Sequence, residues 1–204
     1  MNHKILSVLP DAQKMKSSMR IMAVMDAILS PDWEYRYYSY DAYWGSDEIM
    51  ASMRGSDGEH YFALFRGNNV IIKGLERGCP WIHKRISGVK GEFPFETLLP
   101  GEFCDFFSQP AFLPEETSFC IWQIENENWN SLYELKAGEL SILESIIHGA
   151  EAYASWAKDY YEVELDVVEL ERIFQGQPLN KEQYMKWNPK LNWEEFLKEY
   201  ESIL

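Results

Sequence analysis

Asp57, Glu59 and His60 fall within four consecutive positions. Carboxylates beside an imidazole can share a proton or hold a metal ion. They introduce a strand-like run, however, and successive side chains on a strand face opposite ways, so the three do not all converge. The plain alternative is a polar turn, and no metal site is expected. Cys79 and His83 set a thiol near a base. A nucleophilic cysteine needs the imidazole at hydrogen-bond distance and usually a third, orienting group. The sequence supplies no such group, and an idle thiol is the alternative. Arg54, Lys73, Arg77, Lys84 and Arg85, with Trp81 among them, form a binding set for an anion or an acidic protein segment. The same charges would also offset the acidic C-terminal helices of this molecule. His3 and His148 read as solvated or structural. No phosphate-loop, dinucleotide, serine-hydrolase, zinc-protease or calcium-loop pattern is present, so no cofactor is expected.

The elements that must position these groups centre on a β-hairpin. Apolar runs Tyr61–Phe65 and Val70–Ile72 flank Gly67-Asn68-Asn69, whose types accept the positive φ of a tight turn. Gly55-Ser56-Asp57-Gly58 turns the chain into the first of these strands. Upstream, Asp11 caps a helix predicted to reach Leu29. Met15, Met19, Met22, Met25 and Leu29 recur at helical spacing, and Ser30-Pro31 stops it. Trp33–Tyr40 reads as a strand, and Ser46-Asp47-Glu48 as the start of a helical turn carrying Ile49, Met50 and Met53. The stretch from Arg77 to Pro94 reads as a long loop.

Downstream, a helix is predicted within Phe95–Gln109, burying Phe103, Phe106 and Phe107. A strand follows over Ser118–Glu125, then a turn at Glu125–Asn128 and an edge strand within Trp129–Leu135. From Leu140 to Tyr161 one helical face runs Leu140, Leu143, Ile147, Ala150, Ala154, Ala157, Tyr161, with Gly149 interrupting it as a break or kink. Another helix spans Asp166–Phe174. Two capping boxes with staples then open short helices, one at Leu179, Asn180, Gln183 and Tyr184 and one at Leu191, Asn192, Glu195 and Phe196.

The chain has 204 residues, 46% hydrophobic and 15% aromatic, enough for a self-sufficient core. With so many Tyr and Trp, some are expected in a groove or interface. The three cysteines, Cys79, Cys104 and Cys120, are odd in number and widely spaced, which argues against a disulfide framework. Free thiols fit a cytoplasmic setting. The apolar run Ile5–Leu9 is too short for a signal peptide, and no run is long enough for a membrane span. The formal net charge is -14. Residues 1–114 hold 14 acids and 12 bases, and residues 115–204 hold 19 acids and 7 bases. Such a surface repels phosphate backbones and anionic membranes, so neither nucleic acid nor membrane is an expected partner, whereas a protein is.

Several pieces come in a familiar order. They are Met50-Ala-Ser-Met-Arg-Gly-Ser-Asp-Gly58, Ile72-Lys-Gly74, Gln109-Pro-Ala-Phe112, Phe119-Cys-Ile-Trp122, Tyr160-Tyr-Glu-Val163, Pro178-Leu-Asn180 and Trp187-Asn-Pro189. Over residues 40–204 the combination resembles a family of stand-alone bacterial proteins of unknown function. The resemblance implies a bacterial, cytoplasmic setting and no particular activity. Members often carry an acidic-His-Glu-Ser-Pro run where this chain has Glu76-Arg-Gly-Cys-Pro80, and the missing histidine counts against acid–base chemistry in that loop. A looser similarity, in size and acidity, is to small acidic immunity and SMI1/KNR4-like proteins of bacteria.

Runs of strands followed by runs of helices predict one α+β domain over residues 1–204. An antiparallel sheet of four to five strands, with the N-terminal helix, fills 1–135, and the helical part is 136–204. The leading functional expectation is a non-enzymatic, protein-binding module of the immunity or adaptor kind. Its most exposed aromatics should then form one patch. The alternative is a small hydrolase or transferase using the 57–60 turn and the 77–85 loop. A small-molecule sensor with a deep aromatic pocket is a third reading.

Overall fold

Asp11 opens helix α1 (Ala12–Leu29) by accepting a hydrogen bond from the Lys14 amide at 2.8 Å. A short carboxylate suits this N-cap role. Met15, Met19, Met22 and Met25 are all buried, as their spacing predicts. The second half of α1 differs from a one-sided stripe. Every residue from Ile21 to Ile28 is buried, because the sheet packs on one side and C-terminal helices on the other. Ala23, Val24 and Ala27 are small enough to allow that double approach.

The computed structural model describes residues 6–80, 82, 98–135, 138–178 and 181–203. They form an α+β fold around a six-stranded antiparallel sheet in plain sequence order. Its strands are β1 (Tyr38–Gly45), β2 (Glu48–Arg54), β3 (His60–Arg66), β4 (Asn69–Leu75), β5 (Phe119–Gln123) and β6 (Asn130–Ser131). The β3–β4 hairpin pairs in full register from His60↔Leu75 to Arg66↔Asn69. Gly67 sits at the first position of its two-residue loop with φ 58°, a backbone that an L side chain rarely adopts.

One face of the sheet packs on α1 through Tyr38, Met53, Tyr61, Phe65, Ile72, Phe119 and Ile121. The other is partly covered by a 3-10 turn (Gly101–Phe103) and helix α2 (Cys104–Ser108). These bring Phe103, Phe106 and Phe107 onto Phe62, Leu64, Ile71 and Cys120. After the sheet come α3 (Glu144–His148), α4 (Ala150–Tyr161), α5 (Val167–Phe174), α6 (Lys181–Trp187) and α7 (Trp193–Ile203). Asp166 caps α5 at 2.9 Å and Asn192 caps α7 at 3.4 Å. Arg36 pins α7 to the connection leaving α1. Its guanidinium grips both carboxylate oxygens of Glu199 and donates to the Ser30 carbonyl at 2.7 Å.

Several sequence expectations are corrected or refined. Trp33–Tyr35 is a 3-10 turn and β1 begins at Tyr38, because side chains at the end of α1 hold the intervening backbone. Ser46 and Asp47 form the turn of a hairpin, not a helix start. Asp47 takes φ 61°, which its short polar side chain tolerates, and Ile49, Met50 and Met53 lie on β2. Within Phe95–Gln109 the described helix is only α2, preceded by the 3-10 turn, and residues 95–97 lie outside the described set. Gly149 interrupts the helical run, as expected. At φ 70° and ψ -137° it breaks the run into α3 and α4. The sheet also has one strand beyond the expected count, since β2 was not foreseen. Of the first capping box, Leu179 and Asn180 lie outside the described residues.

Gly74 is required by close packing. A Cβ there would lie 2.1 Å from the His60 carbonyl oxygen and 2.9 Å from the Tyr61 Cα. Gly74→Ala is expected to cost about 2–3 kcal/mol, read as a lower denaturant midpoint with an unchanged slope.

Candidate functional site

The turn before β3 draws some of the predicted residues together. Gly55 donates to the Glu59 carbonyl at 2.7 Å and Gly58 to the Gly55 carbonyl at 3.1 Å, with Gly58 at φ 93°. The hairpin register brings Arg77 alongside this turn. Its backbone N–H donates to Glu59 Oε1 at 2.7 Å, and its guanidinium meets Asp57 Oδ2 at 3.2 Å. Asp57, Glu59 and Arg77 are thus one exposed polar clasp.

His60 turns away from that clasp into the sheet. Its Nδ1 lies 3.0 Å from the Gly58 carbonyl oxygen, and its buried Nε2 has no hydrogen-bond partner. Burial lowers its pKa and favours the neutral ring. It therefore hydrogen-bonds to neither Asp57 nor Glu59. Cys79 is half-buried, with its amide donating to the Glu76 carbonyl at 3.2 Å. Trp81, His83, Lys84 and Arg85 lie outside the described residues. Among the described residues no group of three or more His, Cys, Asp or Glu is arranged to hold a metal ion.

Lys73 is fully buried instead of reaching an outside anion. Its ammonium donates to the Phe107 carbonyl at 2.7 Å and lies 4.7 Å from the centre of the Phe107 ring. Burial lowers its pKa from 10.5 to about 8. The folded state therefore releases a proton that the unfolded chain keeps between those values, so this lysine's cost shrinks as pH rises across that window. Lys73→Met is expected to leave stability unchanged or raise it by about 1–2 kcal/mol at pH 7. The gain should fade from about pH 8 upward in paired urea titrations.

Arg54 is exposed on the open part of the second sheet face. It lines a cleft of about 340 Å³ with Trp33, Ser39, Asp41, Trp44, Phe62 and Phe112, walled on the far side by Glu199 and Ser202 of α7. A neighbouring cleft of about 330 Å³ continues it past Trp33, Tyr35, Ser39, Arg54 and Tyr160. A third, of about 660 Å³, holds Lys16, Ala42 and Tyr43. All three flank β1, one of the two edge strands of the sheet. The exposed aromatics gather there too: Trp33 (64% exposed), Tyr35 (59%), Tyr43 (74%), Trp44 (49%) and Tyr160 (37%).

β1 loses register with β2 between Asp41 and Gly45, so Ala42, Tyr43 and Trp44 stand opposite Ile49 alone. That bulge explains why Tyr43 and Trp44, adjacent in sequence, are both exposed.

The start of β1 is held from below by Asp26, which no sequence motif marks. Its Oδ2 accepts the amides of Tyr37 (2.8 Å) and Tyr38 (2.7 Å), and its Oδ1 accepts the Tyr153 hydroxyl (2.7 Å). Complete burial raises its pKa from 3.8 to about 6, and these hydrogen bonds oppose the rise. Around it, Tyr37 packs on Trp156 at 4.7 Å, and Trp156 stacks on Tyr160 at 5.2 Å.

The predicted signals for this surface were the count of Tyr and Trp and, from the binding set, Arg54. A sharper one was available: Tyr43 and Trp44 are consecutive, and a regular strand cannot send both into one core.

The geometry defines an α+β protein whose first strand, an edge of the sheet, is fringed by exposed aromatics. Comparison with family models, curated proteins and solved structures found no match. No helix among the described residues is long and apolar enough to cross a membrane.

Proposed function

We propose that this protein is a binding module for another protein, of the immunity or adaptor kind, and that it engages its partner along β1. The observation that carries the reading is the gathering of exposed Trp33, Tyr35, Tyr43, Trp44 and Tyr160 beside one strand. Tyr and Trp offer large contact area at low conformational cost and are favoured at interface centres. The acidic surface elsewhere favours solubility and discourages nonspecific contact with nucleic acid. A cytoplasmic setting agrees with cysteines that form no disulfide among the described residues.

The hydrolase or transferase alternative has less support. His60 meets a backbone carbonyl and not a carboxylate, and Asp57 and Glu59 are already committed to Arg77.

The test is affinity capture from host lysate with the tagged chain and with its Trp33→Ala/Tyr43→Ala/Trp44→Ala variant. A stoichiometric protein retained by the first and lost by the second supports the reading. Equal retention refutes the assignment to β1.

A further inference from the structure

Beside the start of β1 a further cleft, of about 410 Å³, opens toward the helices that follow the sheet. Ala152, Ser155, Trp156 and Asp159 line it from one face of α4, where they recur three and four residues apart. Ser141, Glu144 and Ser145 repeat that spacing across the 3-10 turn Ser141–Leu143 and the start of α3. Ala152, Ser155, Ser141 and Ser145 are too short to fill the gap. Tyr37, Tyr38, Met53 and Trp156 give it an aromatic and apolar back.

The charge of this cleft has one sign. Glu59, Glu144 and Asp159 line it, and no Lys, Arg or His does among the described residues. Glu59 accepts the Arg77 backbone N–H at 2.7 Å, but the Arg77 guanidinium goes to Asp57. Lys158 lies within electrostatic reach of Asp159, but its ammonium hydrogen-bonds to Glu164 at 2.7 Å. Among the described residues none of the three carboxylates has a basic side chain within ion-pair distance. A fourth carboxylate backs them. Glu76 is only 4% exposed, and its Oε1 accepts both the amide of Ser141, at 3.1 Å, and the Ser141 hydroxyl. Glu59 acts on it electrostatically. Ser141 and Glu59 both line the cleft, so Glu76 stands behind the wall they share. Its Oε2 is buried without a hydrogen-bond partner, which leaves acceptor capacity unfilled at that wall.

These carboxylates do not converge as metal ligands do. Negative charge spread around an aromatic-backed cleft suits a larger cation instead. Its N–H donors meet separate carboxylates while its carbon chain lies on the rings. We infer that this cleft is a binding site for an alkylammonium cation, supplied as a free aliphatic polyamine or as a lysine side chain of a bound protein. Glu144 and Asp159 take the charged groups, and Tyr37 and Trp156, packed 4.7 Å apart, carry the chain between them.

The experiment is isothermal titration calorimetry of the full-length chain at about physiological ionic strength, where diffuse attraction between charges is screened. The probes are spermidine, a capped trilysine peptide and, as a neutral control, pentanediol. Saturable one-to-one binding of spermidine or of the peptide, and none of pentanediol, is the expected result. Tighter binding of spermidine assigns the cation to a free polyamine, and tighter binding of the peptide assigns it to a protein's lysine. Glu144→Gln/Asp159→Asn should weaken the binding roughly tenfold or more. Both positions are exposed, so folding is not at stake. Glu182→Gln/Glu194→Gln removes the same charge at exposed positions outside the cleft, and should weaken binding by less than about twofold. Equal losses from the two pairs would mean attraction to the net charge of -14 alone and overturn the inference. Pentanediol binding as well as the amines, or no saturable binding of either amine probe, overturns it too. These titrations use the isolated chain and leave Trp33, Tyr43 and Trp44 in place. Their failure is therefore separate from failure of the protein-binding reading, which the capture experiment decides.

Discussion

Replacing Asp26 with alanine is expected to lower the unfolding free energy by about 3–5 kcal/mol, the largest loss from any single side chain discussed here. The carboxylate accepts three hydrogen bonds in a fully buried site, from the Tyr37 and Tyr38 amides and the Tyr153 hydroxyl. Alanine strands all of those donors without water. Asp26→Asn should cost much less, on the order of 1 kcal/mol, because the amide oxygen still accepts the backbone pair and the Tyr153 oxygen can accept from the new NH2. The two variants also separate charge from hydrogen bonding. Burial lifts the Asp26 pKa from 3.8 to about 6, so between those values the folded state holds a proton that the unfolded chain has released. The resulting stabilisation is fully present below about pH 4 and is lost as pH rises through about 6, a change on the order of 2–3 kcal/mol. His60, lowered by burial, and Glu76, raised by burial, titrate alike in wild type and Asp26→Asn. The difference between those two chains in urea unfolding therefore isolates Asp26. A difference that is flat from pH 4 to pH 7 would contradict the assignment.

The Trp33→Ala/Tyr43→Ala/Trp44→Ala variant should show the opposite behaviour, with affinity lost and stability kept. Large aromatics at interface centres contribute about 2 kcal/mol or more each when truncated, and such effects are not strictly additive. A loss of roughly a hundredfold or more in partner affinity is the expected result. All three side chains are about half exposed or more, so the thermal midpoint should move by no more than a few degrees. Calorimetry of partner binding beside thermal melts of the free chains reads both quantities. A folded variant that binds normally would move the interface off β1.

Much of the fold was legible where local chemistry and tertiary packing agree. Gly67 announced the central hairpin, Asp11 and Asn192 marked helix starts, and the methionine spacing found the buried side of α1. β2 was hidden because Met50 faces one core while Ala51 and Met53 face the other. Burial on both faces erases the alternation that identifies a strand. The site was less legible. Arg77, expected only among the cations of a binding set, sits with Asp57 and Glu59 as a clasp. Lys73 looked like a free cation and is buried, since its sequence neighbours do not reveal that Phe106 and Phe107 cover it. Asp26 interrupts an apolar run, and only the return of Tyr37, Tyr38 and Tyr153 from other elements gives it a purpose. Which strand lies at the edge is a property of sheet order, and exposure of Trp33 and Tyr43 follows from it.

Amide hydrogen exchange of the whole chain, free and with its captured partner, tests the central claim most directly. Protection gained at Tyr38–Trp44, with smaller changes at Trp33 and Tyr35, is the result expected of a partner seated on β1. Protection confined to α4 and α5, with β1 exchanging as fast as in the free chain, would contradict it.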